Sequence, residues 1–355
     1  MEVLPHFDQT SQTSSDRDSV LSFTVMEYRY LGHTGVRVSE LCFGTMSFGG
    51  DADEQTSAEL FRACRDAGVN FFDCANVYQK GTSERFLGKL MRGMRDELVI
   101  TTKAHFPMGE GVNDRGSSRY HIVRAVEESL KRLDTDRIDV YFLHRFDEVT
   151  RLEETMRALD DLVRSGKVVY IGASNFAAWQ IAKANGIADL RGFAPVDCIQ
   201  PMYNLVKRQA EVEILPMAGS EGIGVVPYSP LGGGLLSGKY GKSKRPESGR
   251  LVQNRMYGTR YGEEWMYETA ESFTELAGEL GVHPASLAVR WVSTHPAVTA
   301  PIIGARNTEQ LAAGLDSVNV SMDDELRARI SALARTPSPA TDRNEEGTAN
   351  SMSAR

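Results

Sequence analysis

Residues 140–171 read Val140-Tyr141-Phe142-Leu143-His144, then an amphipathic stretch over 152–164, then Val168-Val169-Tyr170-Ile171. A short apolar run, a helix-period segment and a second short apolar run make a strand–helix–strand unit. Two strands joined by a helical crossover lie parallel. The same alternation continues in both directions. Upstream are Leu41-Cys42-Phe43, Phe71-Phe72 and Leu98-Val99-Ile100, with helix-like segments at 56–67, 83–92 and 118–132. Downstream are Cys198-Ile199, Ile223-Gly224-Val225-Val226 and Ile302-Ile303, with helix-like segments at 176–187, 207–219 and 307–317. Eight such strands imply a parallel sheet with crossover helices.

A doubly wound open sheet and a closed barrel both fit this alternation. The open nucleotide-binding sheet carries a G-x-G-x-x-G turn after its first strand. Here that turn is Gly44-Thr45-Met46-Ser47-Phe48-Gly49-Gly50, with different spacing. Eight units favour an α/β fold of the (β/α)8 TIM-barrel class. Residues 28–39 alternate apolar and polar around Gly32 and Gly35, which predicts a β-hairpin capping the barrel bottom. Residues 232–262, rich in Gly and Lys, predict a long irregular loop at the C-terminal rim, where barrels keep their chemistry.

The pattern runs without a linker over about 26–335, one domain, between two polar ends, 1–25 and 336–355, that read as disordered tails. With 40 Lys+Arg against 48 Asp+Glu the net charge is −8, which argues against a nucleic-acid or anionic-membrane binder. No apolar run approaches the roughly 18 residues of a membrane span. The N-terminus lacks the basic and apolar regions of a secretory signal. Cys42, Cys64, Cys74 and Cys198 show no CxxC or metal-ligand spacing, so reduced, packed thiols in a cytoplasmic protein without a metal site are expected.

Asp73 follows Phe71-Phe72, with Tyr78 five residues on; Lys103 follows Val99-Ile100-Thr101-Thr102; His144 follows Tyr141-Phe142-Leu143. A lone Asp or Lys at a strand end is usually a capping or surface residue. Four ionisable groups closing three consecutive strands converge on one rim. A phenol titrates near pH 10. A neighbouring ammonium lowers that value, and a carboxylate holds the ammonium in place. Tyr78 could then give a proton to a carbonyl oxygen as its carbon is reduced, with His144 orienting the substrate.

Longer motifs extend the pattern. They include Leu41–Met46, Phe72–Tyr78, Thr101–Lys103, Leu143–Asp147, Ile171–Phe176, Ile199–Asn204, Pro227–Leu231 and Pro301–Arg306, followed by Glu309-Gln310-Leu311. In these motifs the sequence resembles the aldo-keto reductases over nearly the whole core. The resemblance implies a barrel that binds NADPH (or NADP) and interconverts carbonyls and alcohols, with a small carbonyl or alcohol as substrate. Asp73, Tyr78, Lys103 and His144 match the catalytic tetrad. Ser174, Asn175 and Gln200 match positions that hold the nicotinamide carboxamide, and Tyr228 the aromatic stacked on its ring. Gly44 and Thr45 border the ribose. Ser229, Leu231, Gly233 and the loop after them, with Gly238 and Lys239, match the pyrophosphate segment. Gly304, Arg306 and Gln310 match the 2′-phosphate site. Two residues depart from the pattern: Cys74 replaces a common Thr, and Gly314 stands where many members carry an adenine-contacting Asn.

Other signals are weaker. Gly233-x4-Gly238-Lys239 nearly spells a phosphate loop, but Tyr240 stands where Ser or Thr must ligate magnesium. The cluster Lys239, Lys242, Lys244, Arg245 and Arg250 reads as a solvated loop or as a positive flap over a diphosphate. Trp179, Trp265 and Trp291 lie in helical patterns and are expected in core or helix-packing positions. Two alternatives to the reductase are a non-catalytic NADPH-sensing regulatory subunit on the same fold and a Schiff-base aldolase using Lys103.

Overall fold

The computed structural model describes residues 26–343. The tail expected at 1–25, and 344–355 of the C-terminal one, lie outside the described residues; 336–343 form no helix or strand. The chain opens with an antiparallel hairpin, β1 (Tyr28–Tyr30) and β2 (Arg37–Ser39), as expected. Eight parallel strands follow: β3 (Cys42–Gly44), β4 (Phe71–Asp73), β5 (Val99–Ala104), β6 (Ile138–Leu143), β7 (Val168–Ser174), β8 (Val196–Gln200), β9 (Gly224–Val225) and β10 (Ile302–Ile303). Each contains or overlaps one of the eight apolar runs.

The strands pair in chain order from β3 to β9, and β10 pairs back onto β3. Between the outer strands, the Val225 carbonyl accepts from Thr299 N–H (2.8 Å), and the Pro227 carbonyl accepts from Ile302 N–H (2.8 Å). The result is a (β/α)8 barrel.

Helices α1 (Glu54–Asp66), α2 (Thr82–Leu90), α3 (Arg119–Leu133), α4 (Leu152–Arg164), α5 (Ala178–Arg191) and α6 (Ile214–Glu221) fill the first six crossovers. The long stretch after β9 is more structured than its sequence suggests. It contains α7 (Arg250–Gln253) and α8 (Arg255–Arg260), because the Asn254 side chain accepts from the N–H groups of Met256 and Tyr257. Then come α9 (Glu264–Glu279), α10 (Pro284–Ser293), α11 (Thr308–Leu315) and α12 (Asp324–Ser331). Trp291 is buried and Trp265 packs against the core, as expected. Trp179 is 60% exposed, meeting only one edge of Phe146 at the rim, so its helical position does not put it in the core.

Strand parity places the site. Side chains two apart on a strand share a face. Phe71, Val99, Val140, Phe142 and Cys198 point into the barrel, where they pack with Leu31 and Val38 of the hairpin. Phe72, Ile100, Tyr141 and Ile199 point outward under the helices. Continuing the inward series toward the C-terminal rim gives Asp73, Thr101, Lys103 and Gln200. The lumen is thus apolar below and polar above. The hairpin plug is fixed by His33 N–H on the Gly222 carbonyl (2.9 Å) and by buried Glu40, which pairs with Arg29 (3.0 Å) and Arg290 (3.1 Å).

Gly172 faces this lumen: a Cβ there would lie 2.5 Å from the Phe142 ring. Gly172→Ala should therefore lower stability by about 1–3 kcal/mol through overpacking. Gly186, within α5 and facing open space, is the control, and Gly186→Ala should raise stability by about 0.5–1 kcal/mol. Denaturant unfolding of both variants checks the pair of signs.

Candidate active site

Lys103 is fully buried beneath the rim. Its ammonium donates to Asp73 Oδ2 (2.6 Å), to the Cys74 carbonyl (2.6 Å) and to the Tyr78 phenol oxygen (3.4 Å). Asp73 Oδ1 accepts from the Thr101 hydroxyl (2.6 Å) and the Gln200 amide (2.9 Å). The buried carboxylate thus has a cation and two neutral donors, which is what such a charge requires. Burial opposes the Lys103 charge, yet Asp73 and the Tyr78 oxygen outweigh it and hold the ammonium above its ordinary pKa. A permanently protonated, ion-paired amine is no nucleophile, so the geometry disfavours the Schiff-base reading.

The Tyr78 phenol behaves differently from the sequence expectation. Burial pushes it up to about 12, and Lys103 only partly offsets this. The phenol therefore keeps its proton at neutral pH. Because its oxygen accepts from Lys103, its own O–H is left to point elsewhere. His144 lies edge-on to Tyr78, ring centroids 6.1 Å apart, and Phe106 closes its other side at 4.9 Å. Burial and the Lys103 charge lower the His144 pKa well below normal, so the imidazole is neutral. Its Nδ1 is buried with no hydrogen-bond partner among the described residues.

Tyr78 rides on a turn in which Gln79, Lys80 and Gly81 all have left-handed φ (47°, 51° and 86°). Such strain persists only when the surroundings over-determine it. Here Gln79 packs on Gly50, Thr82 on Gly49, and the Arg132 side chain passes directly beneath Gly81. Arg132 is held by fully buried Glu84 (2.6 Å), which also accepts from the Thr102 hydroxyl (2.6 Å). Sequence reasoning missed this pair: a Glu and an Arg on separate helices give no local signal.

Above these residues opens a cleft of about 1910 Å³. Asp73, Tyr78 and His144 line it, as do Gly44, Ser174, Asn175, Gln200, Tyr228, Ser229, Leu231, Gly233, Lys239, Gly304, Arg306 and Gln310. Two expected cofactor residues do not. Thr45 is fully buried behind the wall, its hydroxyl bonding the Asp73 carbonyl (3.0 Å). Gly238 sits against Pro284, its carbonyl taken by Lys244 (2.9 Å).

Asn175 ties the rim together, donating to the His144 carbonyl (2.9 Å) and accepting from the Tyr228 hydroxyl (2.7 Å). The basic cluster divides. Lys239 and Arg250 line the cleft, whereas Lys242 and Arg245 pair outward with Glu268 and Glu264. Arg145, Phe106, Gln253, Met256, Tyr257 and Arg260 also line it without having been anticipated as cofactor or catalytic residues.

The cleft suits an anionic dinucleotide. Lys239, Arg250 and Arg306 face it without a carboxylate partner among the described residues, and a Cβ on Gly304 would meet nothing closer than 3.8 Å. Gly314 stands among Ala312, Ala313 and Leu315 in the cleft wall and itself offers no side-chain amide; Asn319, farther along the same wall, donates to Asp316 (2.9 Å). Cys74 is absorbed by packing, its Sγ 3.2 Å from the Ser83 hydroxyl; all four cysteines are buried and free. Among the described residues no group of three or more metal-ligating side chains converges, and no helix is long and apolar enough to cross a membrane.

Comparison with known proteins agrees with this geometry. The chain is 42% identical over 316 residues to an uncharacterized oxidoreductase, YrpG, of Bacillus subtilis (strain 168), spanning 85% of this chain and 94% of that one. It is 38% identical over 302 residues to a probable voltage-gated potassium channel subunit beta of Oryza sativa subsp. japonica (83% and 92% covered). It is 34% identical over 308 residues to norsolorinic acid reductase of Aspergillus flavus (82% and 76% covered). Residues 40–335, which carry all eight barrel strands and the tetrad, match the Aldo/keto reductase family, and the chain belongs to it.

Proposed function

We propose that the protein is an NADPH-dependent carbonyl reductase in which Tyr78 is the general acid. One observation carries the reading: a protonated phenol at the cleft surface whose oxygen is backed by a buried, permanently charged ammonium. Bound in the cleft, the reduced nicotinamide supplies the hydride to the carbonyl carbon. The chain's own residues do the rest. Tyr78 O–H gives its proton to the carbonyl oxygen as negative charge builds there. Lys103 stabilises the phenolate that forms, and Asp73 keeps that ammonium in place. Neutral His144 has one N–H to offer the same oxygen, fixing the substrate's orientation. Ser174, Asn175, Gln200 and Tyr228 would hold the nicotinamide, Lys239 and Arg250 the diphosphate, and Arg306 with Gln310 the 2′-phosphate.

The plant relatives named as potassium channel subunits favour a second reading, a regulatory subunit that binds the same cofactor without turnover. Loss of NADPH absorbance with simple aldehydes separates the two.

Tyr78→Phe should cut reduction by roughly two to four orders of magnitude while leaving NADPH binding intact, since only the phenol delivers the proton. Near wild-type turnover in that variant sinks the assignment.

The sign for Lys103→Met follows from the charges. Removing the cation that favours phenolate, with Asp73 left behind, raises the Tyr78 pKa still further. Reduction uses the phenol, whereas alcohol oxidation uses the phenolate. Lys103→Met should slow both and displace the rising limb of the oxidation pH profile upward. An unchanged profile contradicts the Tyr78–Lys103 coupling.

Arg306 lies just before α11 in the cleft wall, its N–H bonded to the Gln310 side chain (3.2 Å). A charge-assisted bond to the 2′-phosphate is worth about 1.5–3 kcal/mol, so Arg306→Ala should weaken NADPH by about tenfold to a hundredfold. NADH, lacking that phosphate, should be little affected. Fluorescence titration with both cofactors decides it; equal losses place the phosphate elsewhere.

A further inference from the structure

Five basic residues line the cleft: Arg145, Lys239, Arg250, Arg260 and Arg306. None forms an ion pair among the described residues. Lys239, Arg250 and Arg260 belong to the segment after β9, and Arg306 to the turn before α11, the parts of the wall that face the phosphates of a dinucleotide. Arg145 stands apart. It directly follows His144 at the end of β6, beside the aromatic wall that Phe106 makes with the His144 ring.

Two carboxylates near it, Asp147 in sequence and Asp73 in the cleft, are already engaged. Asp147, two residues on, accepts from Ser117 N–H (2.7 Å), Val149 N–H (2.9 Å), Thr150 N–H (3.3 Å) and the Thr150 hydroxyl (2.8 Å). These bonds hold the loops after β5 and β6 together, and they keep Asp147 ionised and occupied. Asp73, on the cleft floor, is saturated by Lys103, Thr101 and Gln200. Arg145 is thus an exposed residue of the cleft wall, next in sequence to His144, with no ion pair among the described residues to occupy its planar set of donors. The hydride chemistry does not require it there, since Tyr78 and His144 already serve the oxygen.

We propose that Arg145 selects carbonyl substrates that carry a carboxylate, which it grips while Tyr78 and His144 hold the carbonyl. This rests on the reductase reading and adds the substrate class to it. A bidentate guanidinium–carboxylate contact orients as well as attracts. Because Arg145 is exposed before substrate binds, the selection is of the order of tenfold, not thousands.

The test compares 4-formylbenzoate with benzaldehyde, two aldehydes of similar electrophilicity that differ in charge. Wild type should favour the carboxylate in kcat/KM by about tenfold. Arg145→Gln should remove that preference by lowering turnover of the carboxylate alone, and Arg145→Lys should restore part of it. NADPH titration of Arg145→Gln should match wild type. Three results overturn the proposal: equal turnover of both aldehydes by wild type, an equal loss on both in Arg145→Gln, or weakened NADPH binding in that variant. The last would assign Arg145 to the cofactor. If wild type reduces neither aldehyde nor any simple carbonyl, the reductase reading itself falls, and that outcome is distinct from the other three.

Discussion

The Asp73–Lys103 ion pair is the constraint around which the rest of the site is arranged. Taking two charges out of water costs several kcal/mol each, and a packed apolar pair would be at least as stable. The barrel therefore gains little stability from this pair. What it gains is a cation held 3.4 Å from the Tyr78 oxygen, at a depth where its field is not screened. The cost is contained because each carboxylate oxygen and each ammonium proton has a partner: Thr101 and Gln200 on the carboxylate besides Lys103, the Cys74 carbonyl and Tyr78 on the ammonium besides Asp73. Those partners come from β4, β5, β8 and the turn after β4, so the barrel must close for the pair to be satisfied.

Backbone strain collects around the same cleft. Gln79, Lys80, Asn175 and Ser229 are four of the six non-glycine residues with left-handed φ among the described residues. Each lies on or beside the cleft wall, and Gln79, Asn175 and Ser229 each meet a specific neighbour. Asn175 is fixed by its bonds to His144 and Tyr228, and the Ser229 carbonyl accepts from the buried Asn204 amide (2.9 Å). The turn after Tyr78 is wedged between Gly49-Gly50 and the Glu84–Arg132 pair. A strained turn at about 1–3 kcal/mol per residue persists only on such support. It fixes the phenol more narrowly than a relaxed loop would.

How much of this was legible in the sequence follows from which interactions are local. Strand parity is local, so Asp73, Lys103 and His144 could be placed on one rim from the apolar runs before them. Aspects that depend on three-dimensional surroundings were not legible. The phenol's pKa was expected to fall because Lys103 is near, but the dominant influence is burial, which a one-dimensional pattern does not contain. Thr45 and Gly238 sit in motifs that border the cleft, yet parity and packing turn them away from it. Trp179 lies in a helical pattern, but in the first turn of α5 Ala178 and Ile181 take the buried positions and Trp179 is left exposed. The second of the two short helices in 250–260 starts on a single Asn254 cap inside a stretch whose composition reads as loop.

Charge distribution separates the outside of the barrel from its cleft. On the outer surface, basic residues meet acidic ones even in the segment after β9, where Lys242 and Arg245 turn outward to Glu268 and Glu264. Lys239 and Arg250, from the same segment, turn inward and stay unpaired. An acidic protein with 48 Asp and Glu has partners available for a few more cations. Leaving these without one raises the local positive potential in a concave, partly dehydrated space, where it attracts anions most effectively. The floor of the same cleft is electrically closed, because Asp73 neutralises Lys103 there. The protein thus presents positive charge where an anionic ligand would lie and a neutral phenol where the carbonyl oxygen would lie. That separation lets an anion bind at the walls without quenching the proton donor at the base.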